Sequence, residues 1–84
     1  MKITKSQFKN LPEGEKASVA LSQGRQISKR RTSHFYVNLY SLEDFMVEIW
    51  YHAKRNKIES IEIIEDMAVL DKYIDEEINR KKTS

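Results

Sequence analysis

The hydrophobic and polar positions of this chain alternate in three runs between residues 34 and 64. Successive side chains of a β-strand leave on opposite faces, so alternation with period two is typical of a half-buried strand. We therefore predict strands at 34–40, 45–52 and 58–64, connected by short polar segments at 41–44 and 54–57. In the second connection, Asn56 suits a left-handed turn position. A preceding run at 25–31 has only Ile27 as a strong apolar anchor, and it fits either an edge strand or a solvated loop.

Three other segments carry helical signals. Thr4 is a candidate N-cap for a short turn through Phe8, and Pro12 suits the first turn of a helix that runs to residue 23. We expect this second helix to end on Gly24 in a left-handed conformation. Its predicted buried residues are spaced three to four apart: Ala17, Ala20 and Leu21. A C-terminal helix over 67–79 is predicted from the same spacing of apolar residues: Met67, Leu70, Tyr73 or Ile74, and Ile78.

Helices on either side of a run of strands indicate an α+β fold. We predict an N-terminal helix, an antiparallel meander of three to four strands, and a C-terminal helix. A length of 84 residues fits a single domain over 1–84. Its ends at 1–3 and 80–84 are expected to fray around an ordered core at about 12–78.

The alternation also assigns residues to the two faces of the sheet. Residues of one parity form an apolar face that the two helices can cover: Phe35, Val37, Leu39, Phe45, Val47, Ile49, Tyr51, Ile61 and Ile63. The opposite parity gives an unusually aromatic second face, which we interpret as an interaction surface: Tyr36, Tyr40, Met46, Glu48 and Trp50. A face this apolar is poorly suited to remain in water. We therefore expect a second copy or another protein to cover it, with Trp50 as the main anchor.

Composition narrows the class of protein. Hydrophobic residues make up 39% and charged residues 33% of the chain, and cysteine is absent, so the fold depends on packing without disulfides. Neither a secretory leader pattern nor an apolar run of the roughly 20 residues that a membrane helix needs is evident, so we expect a cytoplasmic protein without a membrane partner. The net charge is only +2, but residues 24–42 carry no acid and residues 59–77 are strongly acidic. Such a two-sided charge distribution suits self-association or a charged partner.

Single-stranded nucleic acid is the alternative partner. Basic side chains could contact phosphates, and Tyr36, Tyr40 and Trp50 could stack on bases, which is how single-strand binders work. The candidate phosphate contacts are Arg25, Lys29, Arg30, Arg31, Lys54 and Arg55. The acidic C-terminal third argues against this alternative, as does the lack of a recognised nucleic-acid-binding motif. We therefore predict a protein–protein interaction module that forms a homodimer, ahead of a nucleic-acid binder.

Catalytic and metal-binding patterns are weak. His34, His52 and Glu48 share one parity, but only three candidate ligands exist and we expect no metal site. Glu48, between Met46 and Trp50, should find a partner in Arg30, Arg31, His34 or a tyrosine hydroxyl, because an unpaired buried charge is costly. The chain has no nucleophile motif, and its two glycines form no phosphate-binding loop. We expect no enzyme activity, no cofactor and no small-molecule substrate.

The order of these elements resembles a group of short bacterial proteins of uncharacterised function. That group has a hairpin with a leucine–tyrosine pair, a phenylalanine, a valine–glutamate pair and a tyrosine, followed by a strand and a helix. The matching residues here are Leu39, Tyr40, Phe45, Val47, Glu48, Tyr51, Ile58, Ile61, Leu70, Tyr73 and Ile74. Ile74 stands where the group has leucine. The resemblance implies the helix–meander–helix architecture and carries no activity.

Overall fold

The computed structural model describes residues 3–74 and shows two short helices followed by a four-stranded antiparallel sheet. Helix α1 covers Lys5–Lys9 and α2 covers Glu13–Gln23. The strands are β1 Arg25–Arg31, β2 Phe35–Ser41, β3 Met46–His52 and β4 Lys57–Ile63, in the order β1-β2-β3-β4. A 3-10 turn at Met67–Val69 leads into a helical turn at 70–74. The predicted α+β meander is therefore confirmed, with Arg25–Arg31 as a strand; positions 75–79 of the predicted C-terminal helix lie outside the described residues.

Local sequence signals explain where the N-terminal helices begin. The Thr4 hydroxyl accepts a hydrogen bond from the Gln7 amide, and the Gln7 side chain accepts one from the Thr4 amide, which is a complete capping box. Pro12 is the N-cap of α2, and Glu13 and Glu15 place negative charge in its first turn, where the helix dipole favours it. Thr4 is therefore confirmed as a cap, and α2 ends at Gln23 as predicted.

Two expectations about α2 are wrong. Gly24 is extended, with φ −83° and ψ 164°, instead of left-handed. A glycine is needed there for space, because a Cβ atom would lie 2.4 Å from the Ala20 carbonyl oxygen. Leu21 is 51% exposed, whereas Ala20 is fully buried. Small alanine side chains let the helix lie close to the sheet, and the next residue along is turned about 100° away from it.

Both edge strands of the sheet are irregular. The pairing of β1 with β2 shifts between Gln26 and Ser28, which leaves Ile27 as an extra residue. The pairing of β3 with β4 shifts after Trp50, where Ser60 and Ile58 oppose consecutive residues. Bulges of this kind discourage pairing with another chain's strand. Asn56, in the β3–β4 turn, has φ 53°, as predicted for a left-handed position.

The register between β2 and β3 corrects the predicted faces. Ser41 lies opposite Met46, and Leu39 lies opposite Glu48. Residues directly opposite in an antiparallel pair share a face, so odd-numbered residues of β2 share a face with even-numbered residues of β3. The connection closes through the Leu42 amide and the Phe45 carbonyl oxygen, 2.8 Å apart, and this four-residue loop exchanges the parity. The predicted grouping of Phe35, Val37 and Leu39 with Val47 and Ile49 is therefore wrong.

We call the two surfaces the helix face and the outer face. The helix face lies under α1 and α2 and holds the main core: Phe8, Ala20, Tyr40, Leu42, Phe45, Val47, Ile49 and Ile61. The Phe8 and Phe45 rings meet there with centroids 5.5 Å apart. The outer face has a smaller cluster of Leu39, Ile64 and Tyr73, which the C-terminal segment helps to form. The N-terminal helices and the C-terminal segment thus cover opposite faces, whereas the sequence predicted that both would cover one. Over residues 3–74, none of the helices has the length and apolar character needed to cross a membrane.

Candidate interaction surface

Glu48 lies at the centre of the outer face, on the interior strand β3, and is only 5% exposed. Its Oε2 accepts hydrogen bonds from Arg30 Nη2 at 3.1 Å and from the Tyr73 hydroxyl at 2.6 Å. Its Oε1 accepts one from Trp50 Nε1 at 3.3 Å. The expectation that Glu48 needs a cation or a tyrosine hydroxyl is confirmed, and the structure selects Arg30 and Tyr73 from the candidates.

Arg30 reaches Glu48 from β1, across the intervening strand β2, where its cross-strand neighbour is Val37. The side chains of the Arg30–Glu48 ion pair are 9% and 6% exposed. The Arg30 Cζ atom lies 5.1 Å from the Trp50 ring centroid and 5.3 Å from that of Tyr73, both within cation–π range. Among the residues that the structure describes, however, the buried Arg30 Nε atom has no hydrogen-bond partner. The guanidinium is therefore well packed but incompletely satisfied.

Tyr73 completes this cluster from the C-terminal segment. Burial raises the pKa of its hydroxyl well above the ordinary value of 10.0, and the hydrogen bond to Glu48 and the charge of that carboxylate raise it further. The phenol therefore stays protonated and serves as a donor. The Glu48 carboxylate accepts three hydrogen bonds, and through them it holds β1, β3 and the C-terminal segment together.

A row of three rings continues the outer face beyond this cluster. The Phe35 ring meets Trp50 edge to face, with centroids 5.5 Å apart and an interplanar angle of 73°. On its other side it meets His52, again at 5.5 Å and with an angle of 79°. All three side chains are only half-buried. We call these residues, Phe35, Trp50 and His52, the aromatic row.

The predicted interaction surface is divided between the two faces. Met46, Glu48 and Trp50 lie on the outer face, but Tyr36 and Tyr40 lie on the helix face. Tyr40 is 9% exposed and belongs to the main core, where burial, and then the neighbouring Tyr51, raise its pKa. The grouping of these five residues on one surface is therefore wrong. Phe35 and Leu39 take the places given to the two tyrosines, which the length of the β2–β3 connection could have indicated.

The six basic residues predicted to contact nucleic acid also lie in different parts of the structure. Arg31, Lys54 and Arg55 lie where β1 and β3 end, and a 2.9 Å hydrogen bond from the Ala53 amide to the His34 carbonyl joins the two loops there. The Arg31 Cζ atom lies 4.9 Å from the ring centroid of the 45%-exposed Tyr36. We call Arg31, Tyr36, Lys54 and Arg55 the basic end.

The remaining three basic candidates have other positions. Lys29 is exposed further along β1, opposite Asn38. Arg30 is committed to Glu48. Arg25 lies at the other end of the sheet, opposite Ser41. A single surface therefore does not join all six candidates.

The histidines are not arranged as metal ligands with Glu48. His52 packs against Phe35, and its Nδ1 accepts a 3.2 Å hydrogen bond from the Arg55 amide. In the part of the chain that the structure describes, no group of three or more histidine or acidic side chains could hold a metal ion.

Comparisons with known proteins give no match, whether to protein-family models, to curated proteins or to solved structures. The resemblance to a group of short bacterial proteins stays a prediction. Among the described residues, the aromatic row and the basic end are the two surfaces whose chemistry suits a binding partner.

Proposed function

We propose that this protein is a small, non-enzymatic protein–protein interaction module of the cytoplasm, and that it self-associates through its outer face. The aromatic row carries the proposal. Three rings packed edge to face, each only half-buried, lie side by side on one face of the sheet. Tryptophan and other large aromatic side chains dominate the binding energy of many protein interfaces.

Trp50 is held in position before any partner arrives. Its indole nitrogen donates to Glu48 and its ring packs against Phe35 and the Arg30 guanidinium. A fixed side chain loses little conformational entropy on binding, so its contact area contributes more to affinity. Face-to-face association is also favoured over edge-to-edge pairing, because both edge strands carry bulges and β1 is basic.

Sedimentation velocity over a range of concentrations tests this proposal. Trp50→Ala should weaken self-association by about 30-fold, the effect of losing an interface residue worth roughly 2 kcal/mol. Tyr36→Ala is the matched control, since it removes a half-exposed aromatic ring from the opposite face and should leave self-association unchanged. Circular dichroism confirms that each variant is folded. A wild-type protein that remains monomeric, or equal association of the two variants, would contradict the proposal.

Single-stranded nucleic acid is a second candidate partner, favoured by the basic end. There an exposed tyrosine ring and an adjacent guanidinium lie beside two basic loop residues. Aromatic rings flanked by cations are the elements with which single-strand binders stack bases and contact phosphates. The loops at 32–34 and 53–56 contain no acidic residue that would repel a phosphate backbone.

Fluorescence anisotropy of a labelled single-stranded oligonucleotide tests the second candidate. Binding should weaken steeply between low and moderate salt, because phosphate contacts release counterions. Tyr36→Ala should weaken binding by about 5- to 150-fold, the equivalent of roughly 1–3 kcal/mol for one stacked base. Arg25→Ala is the control for Arg31→Ala, because it removes the same charge from the opposite end of the sheet, and it should leave binding near the wild-type level. Weak binding that Arg25→Ala and Arg31→Ala reduce equally would indicate only general attraction.

A further inference from the structure

Within residues 3–74, the helices cover only part of the helix face. Helix α2 lies over β4, and α1 packs the Phe8 ring against Phe45 in the β2–β3 connection. Towards the opposite edge of the sheet, β1 and β2 carry side chains on this face that are exposed or half-buried. They are Gln26, Lys29, Arg31, Tyr36 and Asn38, and we call them the open strip. The strip extends the basic end along the sheet, on the face opposite the aromatic row.

The pairing of β1 with β2 sets the order of side chains along the open strip. Arg31 lies opposite Tyr36, with its Cζ atom 4.9 Å from the ring centroid. Lys29 lies opposite Asn38, the next position along this face. Gln26 follows, and its Nε2 donates a 3.2 Å hydrogen bond to Asn38 Oδ1. An exposed ring, two cations and a pair of amides therefore follow one another on one surface.

The charge of the open strip is not opposed by an acid in its own strands. Residues 25–41, which contain β1, β2 and the loop between them, include neither aspartate nor glutamate. Positive charge of this kind attracts a polyanion. An exposed aromatic ring beside the charge adds a surface on which a planar base can stack. Single-stranded nucleic acid is the partner that combines a phosphate chain with unstacked bases, so its chemistry matches both features.

The Gln26–Asn38 amide pair has the chemistry to distinguish one base from another. Each side-chain amide carries both a donor group and an acceptor. The bond between them uses one hydrogen of Gln26 and the oxygen of Asn38, so the pair still presents the Gln26 Oε1 acceptor and the Asn38 Nδ2 donor. Adenine offers the complementary groups, since its N7 accepts and its N6 amino group donates, and amide side chains pair with it in this way.

We propose that the open strip binds single-stranded nucleic acid and that the Gln26–Asn38 pair selects adenine. Tyr36 stacks on one base, and Arg31 and Lys29 contact the phosphates. The amide pair forms hydrogen bonds with the edge of a neighbouring adenine. This inference rests on the second candidate function above and adds to it the residues that determine base specificity. The outer face stays free for self-association, since the two functions use opposite sides of the sheet.

Fluorescence anisotropy with labelled oligo(dA), oligo(dT) and oligo(dC) at one salt concentration tests the proposal. The wild type should bind oligo(dA) about 5- to 150-fold more tightly than the other two, the discrimination that a well-placed pair of hydrogen bonds gives between bases. Asn38→Leu and Gln26→Leu should each remove this preference and leave binding to oligo(dC) nearly unchanged. Lys29→Ala, on the same strip, is the control. It should weaken binding to all three homopolymers by the same factor, because a phosphate contact carries no base information.

Failure of base selection and failure of nucleic-acid binding give different results. A wild type that binds oligo(dA) no more tightly than the other homopolymers, or an adenine preference that survives both amide substitutions, would overturn base selection and leave nucleic-acid binding in place. No binding of any homopolymer, even at low salt, would overturn both. Circular dichroism confirms that each variant is folded. Gln26 is exposed on the edge strand β1, so Gln26→Leu provides the test if Asn38→Leu does not fold.

Discussion

The hydroxyl of Tyr73 donates a 2.6 Å hydrogen bond to the carboxylate of Glu48, which joins residues 25 positions apart in the chain. Because the same carboxylate oxygen also accepts a hydrogen bond from Arg30, these contacts link β1, β3 and the C-terminal segment at one point. The outer face is therefore organised around a buried polar cluster, whereas the helix face is organised around apolar packing.

Tyr73→Phe should lower the free energy of unfolding by about 1.5–3 kcal/mol. The substitution keeps the buried ring but removes a hydrogen bond to a charged acceptor, for which losses of roughly this size are typical. Urea denaturation followed by circular dichroism measures the change. Tyr36→Phe removes a hydroxyl from a half-exposed ring and should change the stability by less than about 0.5 kcal/mol. Equal effects of the two substitutions would mean that the Tyr73–Glu48 bond adds nothing to stability.

The raised pKa of Tyr73 predicts a loss of stability at alkaline pH. The folded-state pKa lies above the value of 10.0 expected for an unfolded chain, because burial and Glu48 disfavour the tyrosinate. The stability from this shift is fully present below pH 10 and is lost as pH rises through the folded-state pKa. The stability difference between wild type and Tyr73→Phe should be constant below pH 10 and shrink above it.

Tyrosinate absorbance provides a direct check of the same shift. Subtracting the titration curve of Tyr73→Phe from that of the wild type removes the contribution of Tyr40, whose pKa is also raised. A difference curve with its midpoint at the ordinary tyrosine pKa would contradict the burial of the Tyr73 hydroxyl.

Glu48→Ala should be among the most damaging substitutions, with a loss of about 3–5 kcal/mol. It leaves the guanidinium of Arg30 buried without its counter-ion, together with two unpaired donors on Trp50 and Tyr73. Glu62, directly opposite on β4, is exposed and provides the control. Glu62→Ala should change the stability by less than about 0.5 kcal/mol, because it removes a solvated charge next to a like one. Thermal or urea unfolding of both variants measures this difference, and similar losses of stability would contradict the prediction.

The two glycines should respond in opposite directions to alanine. A Cβ atom at residue 24 would lie 2.4 Å from the Ala20 carbonyl oxygen, so the backbone must shift, and we expect a loss of about 1–3 kcal/mol. At Gly14, in the first turn of α2, no atom of residues 3–74 lies within 4 Å of the added atom. Gly14→Ala should therefore stabilise the helix by about 0.5–1 kcal/mol. Urea midpoints that move in the same direction would refute the steric argument.

Several elements could be predicted because their signals are local. Thr4 and Gln7 form a capping box within one turn, and Asn56 adopts the left-handed conformation within its own loop. The strands follow from alternation, which depends only on the geometry of the extended backbone. The requirement of Glu48 for a partner also followed from sequence, because the cost of an unpaired buried charge does not depend on the fold.

The grouping of side chains on faces was predicted wrongly, because it depends on how two strands pair as well as on the alternation within each strand. The faces depended on one structural detail, the four-residue connection that sets Ser41 opposite Met46 and exchanges the parity of β2 and β3. A shift of one residue in register moves every side chain of a strand to the other face. The predicted interaction surface was therefore divided, although each strand had been identified.

The sequence by itself determined the strands, the N-terminal helices and the need of Glu48 for a charged or hydroxyl partner. Only the tertiary structure decided that Arg30 and Tyr73 are those partners, that the aromatic row replaces the predicted surface, and that the C-terminal segment at 64–74 covers part of the outer face. The physical reason is that backbone preferences act between near neighbours. The choice among competing long-range partners depends on register and on which segment crosses which face of the sheet.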